Sequence, residues 1–343
     1  MNLDVDQLRA LSAAVTHGSL EGAARALHVT PSAISQRLRA LESAAGQVLL
    51  VRSRPVRPTP AGTAVVRLAR QLDLLLADTA TALGAPAGDT PEPLPLLPVA
   101  VSADSLATWV LPALVPVSRL ARLRLHREDE NRTGRLLRDG TVVAAVTTEA
   151  HPVAGCRSTP LGALRYRPMA APAPAARWFA GGVTAAALAR APVVVFDPSD
   201  DLQHAYLRRH GDGLDPPSHH VPSSADFVAA IRLGMGWGMV PDPQSVPYER
   251  DGALVDLDPG GAVDVVLHWQ RWALRTPSLD ALTAAVQDAA ARHLRPVPGS
   301  PHPPRPARSR RCSRRWWRRR SSSCGSRASG SPSRRAPTPW RWG

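Results

Sequence analysis

The chain has 343 residues, enough for two or three domains, and a formal net charge of +14. No stretch approaches the roughly 20 apolar residues that cross a bilayer, and MNLDVDQLRAL places acids where a signal peptide would place positive charge, so a cytoplasmic protein with no membrane partner is expected. Three cysteines, Cys156, Cys312 and Cys324, form no CxxC pair, which argues against a disulfide framework or a structural zinc site.

The positive charge is unevenly spread. Thirteen of the 42 arginines lie in residues 296–343, which contain no acid, leaving 29 basic against 28 acidic residues in 1–295. Lysine is absent throughout, and with the abundant Ala, Pro and Gly this suggests a GC-rich coding sequence.

Residues 5–42 read as three short helices. Val5, Leu8, Leu11 and Val15 share the face of the first, and Gly18 ends it. Ser19 caps a second helix with Leu20, Ala23, Ala24 and Leu27 inward. After a turn at His28 and Val29, Thr30 caps a third that starts at Pro31, with Ile34, Leu38 and Leu41 inward. Three helices could be an inert bundle. The outward face of the third favours a DNA-reading helix-turn-helix instead, because Ser32, Ser35, Gln36 and Arg39, with Arg37 beside them, can hydrogen-bond base edges and phosphates. Its capped N-terminus, entered from Thr30 and Pro31, suits a phosphate, and Ser19 begins the segment 19–57 to which DNA contact is assigned.

Leu49–Arg52 reads as a strand and Pro55 as a turn, giving a β-wing on which Arg52, Arg54 and Arg57 would touch backbone or minor groove. Thr59 and Pro60 open a longer helix. Its stripe of Val65, Leu68, Leu72, Leu75 and Thr79, with Leu76 adjacent, calls for a partner, and self-association would supply two half-site readers. GAPAGDTPEPLPLLP, residues 84–98, reads as a linker.

From about residue 95 to 295, apolar runs such as LPVAVS, VVAAVTTE and PVVVFD alternate with helical stretches, which predicts an α/β domain built on mainly parallel sheets. Ser278 is expected to cap the final helix, which ends near Leu294. Trp109 and Trp269 read as packing residues, LGMGWGMVP as a tight helix-to-strand turn, and His219 and His220 as strand residues. Neither a GxSxG elbow, a P-loop nor HExxH is present, so nothing marks an enzyme or a metal or cofactor site.

GSLEGAARALHVTPSAISQRLRALE, the wing, its PTPAG entry into the long helix and the order of parts resemble the LysR-type transcriptional regulators. VSADSLATWVLPAL, LLRDGTVVAAVTTE, FDPSDDLQHAYLRR and HHVPSSADFVAAIRLGMGWGMVP are similar to the LysG/ArgP subfamily. The resemblance implies a winged helix-turn-helix (1–59), a linker or dimerisation helix with a proline-rich linker (60–94), and a two-subdomain, periplasmic-binding-protein-like α/β effector domain (95–295). A disordered tail (296–343) would follow.

It also implies a homodimer or homotetramer that binds operator double-stranded DNA, meets RNA polymerase, and senses lysine, arginine or histidine to control an amino-acid exporter or a related metabolic gene. By that resemblance three loops face the effector cleft: Ser102, Asp104 and Ser105; Thr147, Thr148 and Glu149; Ser223, Ser224 and Asp226. Taken one at a time, Ser102, Asp104, Ser224 and Asp226 could equally be helix caps. A regulator of the same type answering a different small molecule stays open, as does a nonspecific nucleic-acid binder acting through SRRCSRRWWRRRSSSCGSR. The composition of that tail also suits a frameshift or readthrough extension.

Overall fold

The computed structural model describes residues 3–51, 53–83, 94–128, 133–198 and 200–300. Arg52, most of the proline-rich linker, Cys312, Cys324 and the rest of the arginine-rich tail from residue 301 lie outside the described residues.

The N-terminal part folds as its caps dictate. Helix α1 (Val5–His17) starts at Asp4, whose carboxylate accepts the Gln7 amide, and stops at Gly18 with φ 67°. Helix α2 (Leu20–Ala26) starts at Ser19, which accepts the Gly22 amide. Helix α3 (Pro31–Ala45) starts at Thr30, which accepts the Ala33 amide, and stops at Gly46. Between α2 and α3, His28 takes a left-handed φ of 54°, which makes the turn tight. Leu8, Leu11, Ala23, Ala24, Ile34 and Leu41 interlock into a core of their own.

Strands β1 (Leu50–Val51) and β2 (Arg57–Pro58) pair antiparallel as the wing, β1 starting one residue after the Leu49 expected. Glu42 of α3 accepts the amides of Leu49 and Leu50, and the Val56 amide donates to the Gly18 carbonyl, so the wing is tied at both ends. Helix α4 (Pro60–Ala82), capped by Thr59, leaves it directly.

The second part comprises β3 (Leu96–Val101), α5 (Ala103–Ser105), a π-type turn at Leu106–Val110, α6 (Leu111–Leu114), β4 (Arg122–Arg127), α7 (Thr133–Arg138), β5 (Ala144–Thr147) and β6 (Cys156–Ala170). It continues with α8 (Pro172–Trp178), α9 (Ala185–Leu188), β7 (Val193–Val195), α10 (Leu202–His210), β8 (Ser218–His220), α11 (Ser224–Arg232) and β9 (Gly238–Pro241). Helix α12 (Asp242–Arg250), β10 (Val255–Asp256), β11 (Val263–Trp272) and α13 (Pro277–His293) complete it.

The main sheet runs β10-β6-β11-β5-β3-β4, with β9 also on β6, and β7 and β8 form a separate parallel pair. The expectation of mainly parallel sheets is corrected. β3 is parallel to β4 and β5, but β6 and β11 run antiparallel along ten residue pairs, and β5, β9 and β10 also join this pair antiparallel. Strand β6, 15 residues long, serves both lobes: its first part pairs with β11, which lies next to β5, and its last part pairs with β9 and β10.

Trp109, Trp237, Trp269 and Trp272 are fully buried, as expected for Trp109 and Trp269. The cap of α13 is also corrected: Thr276 accepts the Leu279 amide, while Ser278 lies inside the helix and donates its hydroxyl to Asp78 of α4 at 2.7 Å.

Candidate DNA-binding and effector sites

On α3 the three buried residues Ile34, Leu38 and Leu41 fix which face turns outward. Ser32, Gln36 and Arg39 are exposed and Ser35 is half-buried, one helical face offering hydroxyl, amide and guanidinium groups. Pro31 is exposed at the first turn, and Thr30 adds a 2.9 Å hydroxyl contact with Ser32 to its capping bond. Arg37 behaves differently from its neighbours. Its guanidinium pairs with Asp6 of α1 at 3.1 Å, so it braces α3 against α1.

The wing stands beside this face. Arg54 and Arg57 are exposed, and a cleft of about 170 Å3 lined by Ser19, Ser35, Glu42, Ser53 and Arg54 separates wing from recognition helix. Glu42, which sets the wing's height on α3, was not singled out from sequence. Its signal is faint, because an acid late in a helix usually just faces water.

The second site lies where β3, β5 and β7 end. Ser102 caps α5 through the Ser105 amide. Asp104 is half-buried, and accepts the Ser224 hydroxyl at 2.7 Å and the Tyr166 hydroxyl at 3.0 Å. Gln244 of α12 donates to Ser224 at 3.0 Å, which extends the chain across both lobes. The β3–β5 register, Val99 with Ala144 and Ala100 with Ala145, carried two residues on, sets Ser102 level with Thr147. Thr147 is buried and accepts the Glu149 amide, Thr148 is half-buried, and Ser105 is buried with its hydroxyl unpartnered among the described residues.

Not all nine predicted residues converge. Asp104 and Ser224 meet directly. Glu149 and Asp226 are exposed, and Ser223 occupies the N-cap of α11 without a side-chain capping bond.

Two further carboxylates join the cluster from the loop after β7. Asp200 accepts the amides of Leu202 and Phe196 and, with the Gln203 amide turned nitrogen-inward, two bonds from Gln203. Burial pushes the Asp104 carboxyl up, opposed by the Ser224 and Tyr166 hydrogen bonds. Burial likewise pushes Asp200 up; the two backbone amides oppose this, and repulsion from Asp104 and Asp197 adds to it. Among the described residues neither Asp104 nor Asp200 forms an ion pair with a basic side chain. The missed carboxylates follow the apolar run VVVF, the same strand-end position that marked Ser102 and Asp104. Tyr166 and Gln244 carry no comparable mark, since they sit mid-strand and in a weakly amphipathic helix.

Residues 5–63 match the family model described as a bacterial regulatory helix-turn-helix protein of the lysR family, and residues 96–291 match the LysR substrate binding domain. The chain is 41% identical over 292 residues to the HTH-type transcriptional regulator LysG of Mycobacterium tuberculosis, covering 84% of this chain and 94% of that protein. It is 41% identical over 296 residues, 84% and 99% of the two chains, to the lysine export transcriptional regulatory protein LysG of Corynebacterium glutamicum.

The full-length structure of that LysG with bound effector Arg matches with a TM-score of 0.71 at 39% identity, covering 85% of this chain and all of that one. The crystal structure of ArgP from Mycobacterium tuberculosis matches with a TM-score of 0.77 at 40% identity, covering 86% of this chain and all of that one. With both of its parts matched and such identity along most of its length, the chain belongs to the LysR family of bacterial helix-turn-helix transcriptional regulators.

Proposed function

We propose that the chain is a sequence-specific transcriptional regulator that senses a basic amino acid and controls an exporter or a related metabolic gene. The observation that carries the effector is the half-buried carboxylate of Asp104, which pairs with no basic side chain among the described residues, with Asp200 near it. A buried carboxylate without a cation is costly, and a ligand bringing an ammonium or guanidinium offsets that cost. Lysine, arginine and histidine carry such groups, and the similar LysG was solved with Arg bound.

Ser102, Ser105, Thr147 and Thr148 offer hydroxyls for the ligand's carboxylate, with Glu149, Ser223, Ser224 and Asp226 at the same loops. Operator DNA is assigned to Ser19, Thr30, Pro31, Ser32, Ser35, Gln36, Arg39, Arg54 and Arg57, with Arg37 as a brace and Arg52 from the same wing. A homodimer or homotetramer in the cytoplasm, in contact with RNA polymerase, completes the reading. No described helix is long and apolar enough to cross a membrane.

Ligand acts by favouring one arrangement of the two lobes, because a ligand shifts an equilibrium only by its differential affinity for the two states. Calorimetric titration of the whole protein with the twenty amino acids tests the proposal. Saturable heat is expected for arginine, lysine or histidine alone; saturation only by neutral or acidic amino acids would refute it.

A further inference from the structure

The wing has two flanks. The small cleft beside the recognition helix occupies one, through Ser35 and Leu38. On the other, a cavity of about 600 Å3 opens between β2, α4 and α7, and no residue of α3 lines it. Four arginines line it: Arg57 from β2, Arg70 from α4, and Arg135 and Arg138 from α7. Asp139 is the one carboxylate among the described lining residues, and it already accepts the Thr141 amide at 2.9 Å.

Arg70 is the most enclosed of the four. Among the described residues its hydrogen bonds go to neutral acceptors, the Asp139 carbonyl at 3.5 Å and the Thr16 hydroxyl at 3.3 Å. Burial pulls its pKa down, and repulsion from Arg124 adds to this against the attraction of Asp139. A guanidinium does not shed its proton in a protein. Four convergent cations therefore raise the free energy of this arrangement until an anion meets them.

We propose that this cavity binds a small, multiply charged, phosphate-bearing anion. Its size falls within the range of small-ligand sites, about 300–1,000 Å3. The excess of guanidinium over carboxylate selects an anion of more than one charge, and the arginine fork matches phosphate oxygens in pairs. Of the four arginines only Arg57 is also assigned to operator DNA, and no residue of the recognition helix α3 lines the cavity, so the occupant is a free anion. Arg57 and Arg70 belong to the DNA-reading half, and Arg135 and Arg138 to the effector half. A bound anion ties these halves together, which gives the regulator an input separate from the Asp104 cleft.

Inorganic pyrophosphate is the probe, titrated by calorimetry into the full chain at constant ionic strength and compared with Arg138→Gln and Arg70→Gln. Saturable binding is expected for the parent protein, weakened at least tenfold in each variant. Arg138 is exposed, so its replacement leaves packing intact. The arginines of residues 301–343 are common to all three proteins, so the difference reports the cavity alone. Hydrogen exchange is expected to slow at residues 63–70 and 135–141 when pyrophosphate binds.

Equal binding by all three proteins, or protection elsewhere in the chain, overturns the proposal. So does a parent protein that shows no saturable pyrophosphate binding while Arg138→Gln weakens operator binding tenfold, because the cavity would then seat the DNA backbone.

Discussion

At Asp104, burial and hydrogen bonding act in opposite directions on one carboxyl, and the balance links ligand affinity to stability. The two hydroxyl donors favour the ionised form, but burial outweighs them and the pKa is raised. Where the carboxyl is ionised its charge is therefore held at a cost, which a cationic ligand offsets. Asp104→Asn is expected to weaken arginine binding by about 2 kcal/mol or more, roughly thirtyfold. It should also raise the melting temperature of the unliganded protein, since each kcal/mol is worth about 2–4 °C in a domain of this size. A variant that loses stability and keeps its affinity contradicts this account.

The pH dependence has a definite sign. A carboxyl whose folded pKa exceeds the unfolded one takes up its proton first in the folded state. Its destabilising effect is thus present above the folded pKa and relieved as pH falls through it. Effector affinity should fall as pH falls through that raised pKa, and Asp104→Asn should flatten its share of both trends. Asp200 shifts in the same direction. Asp104 and Ser224 were legible because each sits at a strand end or helix start, where polar residues have only capping or binding to do. Tyr166 and Gln244 were not, because their role depends on where β6 and α12 are brought by pairing far along the chain.

The wing and the helix that follows it show how one element fixes the next. Helix α4 runs so close to the wing that a Cβ on Gly62 would collide with the Leu49 carbonyl, and backbone cannot step aside as a side chain can. Gly62→Ala is expected to cost about 1–3 kcal/mol by overpacking. It should reduce operator affinity by displacing Arg54 and Arg57, while calorimetric affinity for arginine stays unchanged; equal loss at both sites would contradict a local effect. Helix caps at Ser19, Thr30 and Thr59 could be read from sequence because capping is a local hydrogen bond. Strand direction could not. Apolar runs separated by helices suit parallel crossovers, and nothing local in VVLHWQRW reveals that it lies antiparallel to the CRSTPLGALRYRPMA strand. The Thr276 cap was missed by two positions because Ser278 suits the same role chemically, and its actual partner, Asp78, is 200 residues away.

Across the whole molecule, α4 is the part shared by reader and sensor. Val66 and Ala69 pack into the helix-turn-helix core, Leu74 packs into the core of the effector domain, and Asp78 accepts both the amide and the hydroxyl of Ser278. One continuous helix thereby touches both cores. The same helix leaves Leu68, Leu75 and Leu76 at 42%, 37% and 39% exposure, although Val65 and Leu72 of the same stripe are partly buried on the core. An apolar strip on the rod that carries the reader is well placed to meet its own copy, and a two-fold pair would present two recognition helices to successive major grooves. Each buried leucine contributes about 1.5–3 kcal/mol, so Leu68→Glu with Leu76→Glu should weaken self-association more than a hundredfold. Light scattering at micromolar concentration is expected to show the mass fall to that of a single chain. Operator affinity should fall with it by about 10²–10⁴, the share that bivalent binding supplies, while arginine still binds each separate chain. An unchanged mass in the double variant would place the self-association surface elsewhere on the molecule.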